Sequence, residues 1–129
     1  MIPMYVGKSK KLMTFMIDTG LALTWISVAE RKKCKHVIDE YCGSFNVKES
    51  RTYKKSRSKE TIYYGDKELK GVYSTDNISL DEKGKVLAKK ATFVSISGGD
   101  FESLDFLQTN SVLGLGPIRK KKKNEKHFV

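Results

Sequence analysis

The stretch Phe15-Met16-Ile17-Asp18-Thr19-Gly20 runs an apolar segment directly into an acid and a tight turn. Met13, Phe15 and Ile17 keep the period of two that marks a half-buried strand. A carboxylate at the end of such a strand is costly unless its oxygens are hydrogen-bonded. The Thr19 hydroxyl and the Gly20 amide follow at once and are suitable donors, and Gly20 lets the backbone approach closely. Read alone, Asp18-Thr19-Gly20 is a surface turn. Its meaning comes from its surroundings.

Outward from this stretch, short segments rich in β-branched and aromatic residues recur between turn residues. Ile2 to Val6, Leu12 to Asp18, Leu23 to Ser27, Glu60 to Tyr64, Gly71 to Leu80 and Val86 to Ser97 read as strands. Gly7-Lys8, Gly65-Asp66 and Glu82-Lys83-Gly84 read as the turns between them. Helix has two modest claims, Val28 to Tyr41 and Asp100 to Leu107, the latter behind a Gly-Gly-Asp start that suits a cap. The expected class is all-β with one or two short helices.

At 129 residues the chain is one domain in size. Its formal charge is +10, but six of its 25 basic side chains and one of its 15 acids follow residue 118, leaving 19 and 14 before it. Half the excess therefore sits in the run Arg119-Lys120-Lys121-Lys122-Lys123, with Lys126 beyond, read as a solvated, disordered tail over 119–129. No aromatic residues interleave with these lysines, so nucleic acid is not an expected partner. No stretch approaches the ~20 apolar residues of a membrane span, and Met1 to Lys11 lacks the apolar core of a secretory signal. Cys34 and Cys42 form an even pair in a polar loop, and Asn77-Ile78-Ser79 is a glycosylation sequon. If a signal has been lost from this start, a secreted or lysosomal/vacuolar setting follows. His36 and His127 have no partners at ligand spacing, so neither a metal nor another cofactor is expected.

Five further features in order make the sequence resemble the pepsin-like aspartic protease family, over roughly residues 3 to 117. Asp18-Thr19-Gly20 resembles the family's catalytic motif, and Trp25 falls where the family places a Trp. Phe45, Ser50, Thr52 and Tyr53 match a Phe-x4-Ser-x-Thr-aromatic segment that follows a small disulfide loop, here closed by Cys34 and Cys42. Ile62-Tyr63-Tyr64-Gly65-Asp66 resembles the β-hairpin flap with Tyr64 as its tyrosine, and Gly71 and Asp76 recur at the family's spacing. Val112-Leu113-Gly114-Leu115-Gly116 matches the hydrophobic-hydrophobic-Gly element that packs beside the catalytic loop.

The resemblance implies an amino-terminal, half-barrel lobe over residues 1–118 and hydrolysis of peptide bonds in proteins at acidic pH. In the family, two aspartates share one proton because like charges that close cannot both ionise; one activates a water and the other protonates the substrate carbonyl. Asp18 would be one of them, Thr19 and Gly20 would support its loop, Tyr64, Gly65 and Asp66 would close over substrate, and Trp25 would support Tyr64 through its indole N–H. Without that context, Tyr63 and Tyr64 are alternating strand residues and Trp25 is core.

The sequence also departs from the family. Leu21 replaces a Ser that hydrogen-bonds the catalytic carboxylate, a loss on the order of 1.5–3 kcal/mol for the charged form. Lys67 and Glu68 replace Gly-Ser at the flap tip, and Asn110-Ser111 replaces Asp-Gly. No second Asp-Thr/Ser-Gly follows. Three arrangements fit: a fragment of a two-lobed enzyme, an inactive relative that binds peptide or protein in its half-cleft, or a dimer in which two copies of Asp18 meet across a two-fold axis. The first is the preferred expectation, so the partners are a peptide or protein substrate and a carboxy-terminal lobe or second copy.

Overall fold

The computed structural model describes residues 2–7, 11–28, 45–64, 66–81, 86–100 and 111–116, with backbone alone at Tyr64, Val86 and Leu87. Seven strands form it: β1 (Ile2–Val6), β2 (Lys11–Asp18), β3 (Trp25–Ser27), β4 (Lys54–Tyr64), β5 (Lys67–Ser79), β6 (Val86–Gly99) and β7 (Ser111–Gly114). They make one mixed sheet in the order β1-β2-β7-β3-β6-β5-β4. The all-β expectation holds. β1 also pairs with the far end of β5, Tyr5 opposite Ser79 and Val6 opposite Ile78, so six strands close into a ring and β4 extends from it.

Closure explains the burial. One apolar cluster draws on all six ring strands, with Met4 and Val6, Met13 and Phe15, Leu113, Ile26, Ala91 and Phe93, and Ile78, and with Phe45 from the connection before β4. A second cluster lies on the other face, where Trp25, Val94, Ile96 and Val112 meet Ile62 of β4 and Leu69 of β5. Neighbours along a strand point to opposite faces. Phe93 and Val94 thus serve different clusters, as do Val112 and Leu113 and also Trp25 and Ile26.

The segment before β4 is fastened by polar contacts. Phe45 and Tyr53 meet edge to face with centroids 6.1 Å apart. The Tyr53 hydroxyl lies 2.9 Å from Ser74 Oγ and 3.0 Å from Ser95 Oγ. Asp76, fully buried, accepts from Ser50 Oγ at 2.7 Å, from Thr52 Oγ1, and from the Asn77 amide at 2.7 Å. The Phe-x4-Ser-x-Thr-aromatic spacing therefore serves packing, with each polar member bonded to an inner strand.

Several expectations change in detail. β4 begins at Lys54, six residues before the expected Glu60, because pairing with β5 rather than apolar alternation makes the strand. β5 begins at Lys67, so Lys67 and Glu68 are not the hairpin tip: they pair with Tyr64 and Tyr63, and Asp66 is a turn residue before them. Ile17 breaks the alternation of burial by being 40% exposed. The sequon lies within β5, with Asn77 Oδ1 accepting from the Lys90 amide at 3.2 Å and Ser79 Oγ donating to the Asp81 carbonyl at 3.2 Å. A single 3-10 turn at Val47–Glu49, capped by Asn46, was not foreseen. The proposed helices fall mainly on 29–41 and 101–107, outside the described residues, as do Cys34, Cys42 and the tail at 119–129. No helix among the described residues is long and apolar enough to cross a membrane.

Asp76→Ala leaves two hydroxyls and an amide without their buried acceptor. The expected loss is about 3 kcal/mol of unfolding free energy in urea titration, with Asp76→Asn losing less. An alanine variant as stable as the parent would contradict the structural role given to this acid.

Candidate active site

Asp18 is the last residue of β2, which lies parallel to β7 with Asp18 opposite Gly114. β7 in turn runs antiparallel to β3, so it sits between the two strands that the Asp18 loop connects. Main-chain bonds clamp that loop: the Leu115 amide donates to the Asp18 carbonyl and the Gly116 amide to the Leu21 carbonyl, both at 2.9 Å. The Gly114 amide donates to Thr24 Oγ1 at 3.1 Å.

Glycine is required for this fit. A Cβ on Gly114 would overlap the Leu23 carbonyl and stand 2.7 Å from the Leu21 carbonyl oxygen; on Gly116 it would stand 2.8 Å from the Thr19 carbonyl oxygen. The two glycines of the Val112 to Gly116 segment thus let two backbones lie against each other. That spacing was legible in the sequence, whereas the buried Thr24 hydroxyl, which anchors Gly114, was missed because nothing local distinguishes one Thr from another.

The Asp18 carboxyl is half-buried. Its Oδ1 accepts the Gly20 amide at 2.8 Å, the one donor to this carboxyl among the described residues. The Gly20 half of the expected donor pair is therefore present. Leu21 supplies no hydroxyl; its side chain packs against the Trp25 cluster together with Met16 and Leu23. Thr19 and Gly20, which follow the acid, are exposed, and so is Leu115 at 43%.

The strand pleat puts Asp18 on the face of Met16, two residues earlier, which packs on the Trp25 cluster. Ile62 and Leu69, from the two arms of the β4–β5 hairpin, belong to that same cluster. The Asp18 loop and the hairpin therefore share one buried contact, centred on Trp25. This ring is 1% exposed, and its indole Nε1 has no hydrogen-bond partner among the described residues. Tyr64 follows Ile62 by two residues and closes the ladder opposite Lys67. Its side chain and Gly65 lie outside the description; Asp66 is an exposed turn residue.

The hairpin is held from its other side as well. The Glu68 amide donates to Asp100 Oδ2 at 2.9 Å, and the Asp100 amide donates to the Glu68 carbonyl at 2.6 Å. Asp100, at the start of the second expected helix, thus bonds across the sheet, while that helix itself lies outside the described residues. Among the described residues no group of three His, Cys, Asp or Glu side chains is arranged to hold a metal.

The Val112 to Gly116 segment thus packs beside the Asp18 loop, and the hairpin shares the Trp25 cluster with that loop. The family model for eukaryotic aspartyl proteases matches residues 1–129, the whole chain. The chain belongs to the eukaryotic aspartyl protease family. No curated protein matches it. Within this family lobe, Asp18-Thr19-Gly20 occupies the loop that β7 clamps, while Trp25 joins the loop to the hairpin.

Gly114→Ala is expected to destabilise the protein by about 1–3 kcal/mol, because backbone rather than a flexible side chain must give way. Gly98→Ala is the control: its Cβ would meet nothing nearer than 3.9 Å. Thermal unfolding should separate the two variants, and equal melting temperatures would contradict the clamp.

Proposed function

We propose that this chain supplies one half of an aspartic endopeptidase, with Asp18 as one of two carboxylates that activate water against a peptide bond. The observation that carries the reading is the clamped Asp18 loop on the face shared with the hairpin base. In the chemistry implied, two acids share a proton, one as base toward water and the other as acid toward the carbonyl. The 129 residues hold one Asp-Thr-Gly, so the second carboxylate comes from a partner lobe or a second copy. The exposed Leu115, whose amide holds the Asp18 carbonyl, supplies apolar surface for that partner. Thr19 would bond across the two loops, and Tyr64, Gly65 and Asp66 would cover the substrate and exclude water.

In the protein as expressed, the reading predicts cleavage of a denatured protein at acidic pH that pepstatin blocks and Asp18→Asn abolishes. Peptide binding without cleavage would favour the inactive module instead, a reading supported by Leu21 and by Gly20 being the one donor to the Asp18 carboxyl among the described residues.

The buried Trp25 indole N–H is assigned to the Tyr64 hydroxyl, which would hold the flap ring in place. Trp25→Phe and Tyr64→Phe should each lower kcat/KM by about tenfold, the equivalent of ~1.4 kcal/mol. The double variant should lose no more than either alone, whereas additive losses would exclude a shared bond. The resemblance also assigns Cys34 and Cys42 to one disulfide and the protein to a secreted or lysosomal/vacuolar compartment. A mass increase of about two hydrogens on reduction is the check on the bond.

A further inference from the structure

On the side of the hairpin remote from its turn, the first six residues of β4 are Lys54-Lys55-Ser56-Arg57-Ser58-Lys59, all exposed. Four of the six are cationic, and none of these four enters an ion pair among the described residues. Beside them lies a cavity of 320 Å³ lined by Lys54, Lys55, Ser56, Ser58, Thr75 and Thr92 among others. That volume is at the lower end of the ~300–1,000 Å³ found for ligand clefts. No acid lines it. The first acid along β4, Glu60, accepts the Tyr73 hydroxyl at 2.7 Å.

The strand register explains how the groove forms. Lys54 pairs with Thr75 and Thr75 with Thr92, which sets an ammonium and two hydroxyl groups in one row across three strands. Between Lys55 and Lys59 the β4–β5 register shifts, and the Ser58 amide bonds to Ser56 Oγ at 3.0 Å instead of crossing to β5. β4 is also the last strand of the sheet, so its outer edge pairs with none of the described strands.

We propose that this cationic edge and its groove bind an acidic, extended peptide segment from a partner protein. Charge complementarity selects an acidic ligand. The distribution of charge selects an extended one: the four cations are spread over five residue steps, roughly 17 Å of strand, rather than gathered about one point as a phosphate would require. The unpaired strand edge selects a peptide, because only a polypeptide can add to it through a main-chain ladder. A charged, bulged edge also discourages unspecific pairing of strands, and an acidic segment is the kind of strand that escapes this deterrent. The site is separate from Asp18 and does not depend on the chain being catalytic.

The test uses the Asp18→Asn protein, so that no probe is cleaved, and a fluorescein-labelled ten-residue peptide alternating Glu with Thr. Fluorescence anisotropy should detect saturable binding that weakens as salt rises. Lys54→Glu/Lys55→Glu and Arg57→Glu/Lys59→Glu should each weaken it at least tenfold with unchanged circular dichroism. Replacing Lys120, Lys121, Lys122 and Lys123 with Ser should leave it intact. A peptide N-methylated at alternate residues should bind at least tenfold more weakly. The proposal is overturned by absence of binding, by binding that follows the tail lysines, or by an N-methylated peptide that binds equally. Displacement by millimolar inorganic phosphate or by heparin in preference to the peptide would also overturn it, in favour of an oxyanion or glycan site.

Discussion

The short strand Ser111–Gly114 lies between the two strands that leave and re-enter the Asp18 loop, and the geometry of the site follows from that insertion. Its hydrogen bonds are main chain to main chain, so they constrain the loop whatever side chains it carries. Two conditions make the insertion workable. Gly114 and Gly116 present no Cβ to the loop carbonyls, and Thr24 accepts the Gly114 amide. A carboxyl held in this way needs little from its own side-chain partners to keep its place: Gly20 alone donates to it among the described residues.

The same central strands separate two apolar clusters. The inner one closes the six-stranded ring and accounts for most of the buried apolar side chains. The outer one is smaller and joins the Asp18 loop to the hairpin through Trp25. A residue of β7 or β6 thus contributes to stability on one face while its neighbour contributes to the site on the other. Polar burial is concentrated around Asp76, whose carboxyl ties the Ser50–Thr52 segment to β5 and so holds the approach to β4.

Much of this architecture was legible from local signals. Ile2–Val6 was read to the residue, and β2 to within one residue of its start, because apolar alternation and turn residues mark them. The clamp was legible through its two glycines, and the acid through the strand that precedes it. Lys54 to Lys59 carries no such signal, since a run of charged and hydroxyl residues has no apolar face, and only pairing with β5 makes it a strand. Lys67 and Glu68 were assigned to the hairpin tip because spacing along the chain does not specify the register across it.

By itself the sequence determined the all-β class and the family to which its motifs point, and singled out Asp18 as the candidate acid, because these depend on residue type and short-range order. The tertiary structure alone decided that the Trp25 ring would serve both loop and hairpin, that Asp76 would be wholly buried, that Asp100 would bond to the Glu68 amide, and that Lys54 and Lys55 would line a groove with Thr75 and Thr92. Each of these joins groups far apart in the chain. Contacts of that kind depend on closure of the sheet and the register of its strands, and neither is written in any one segment.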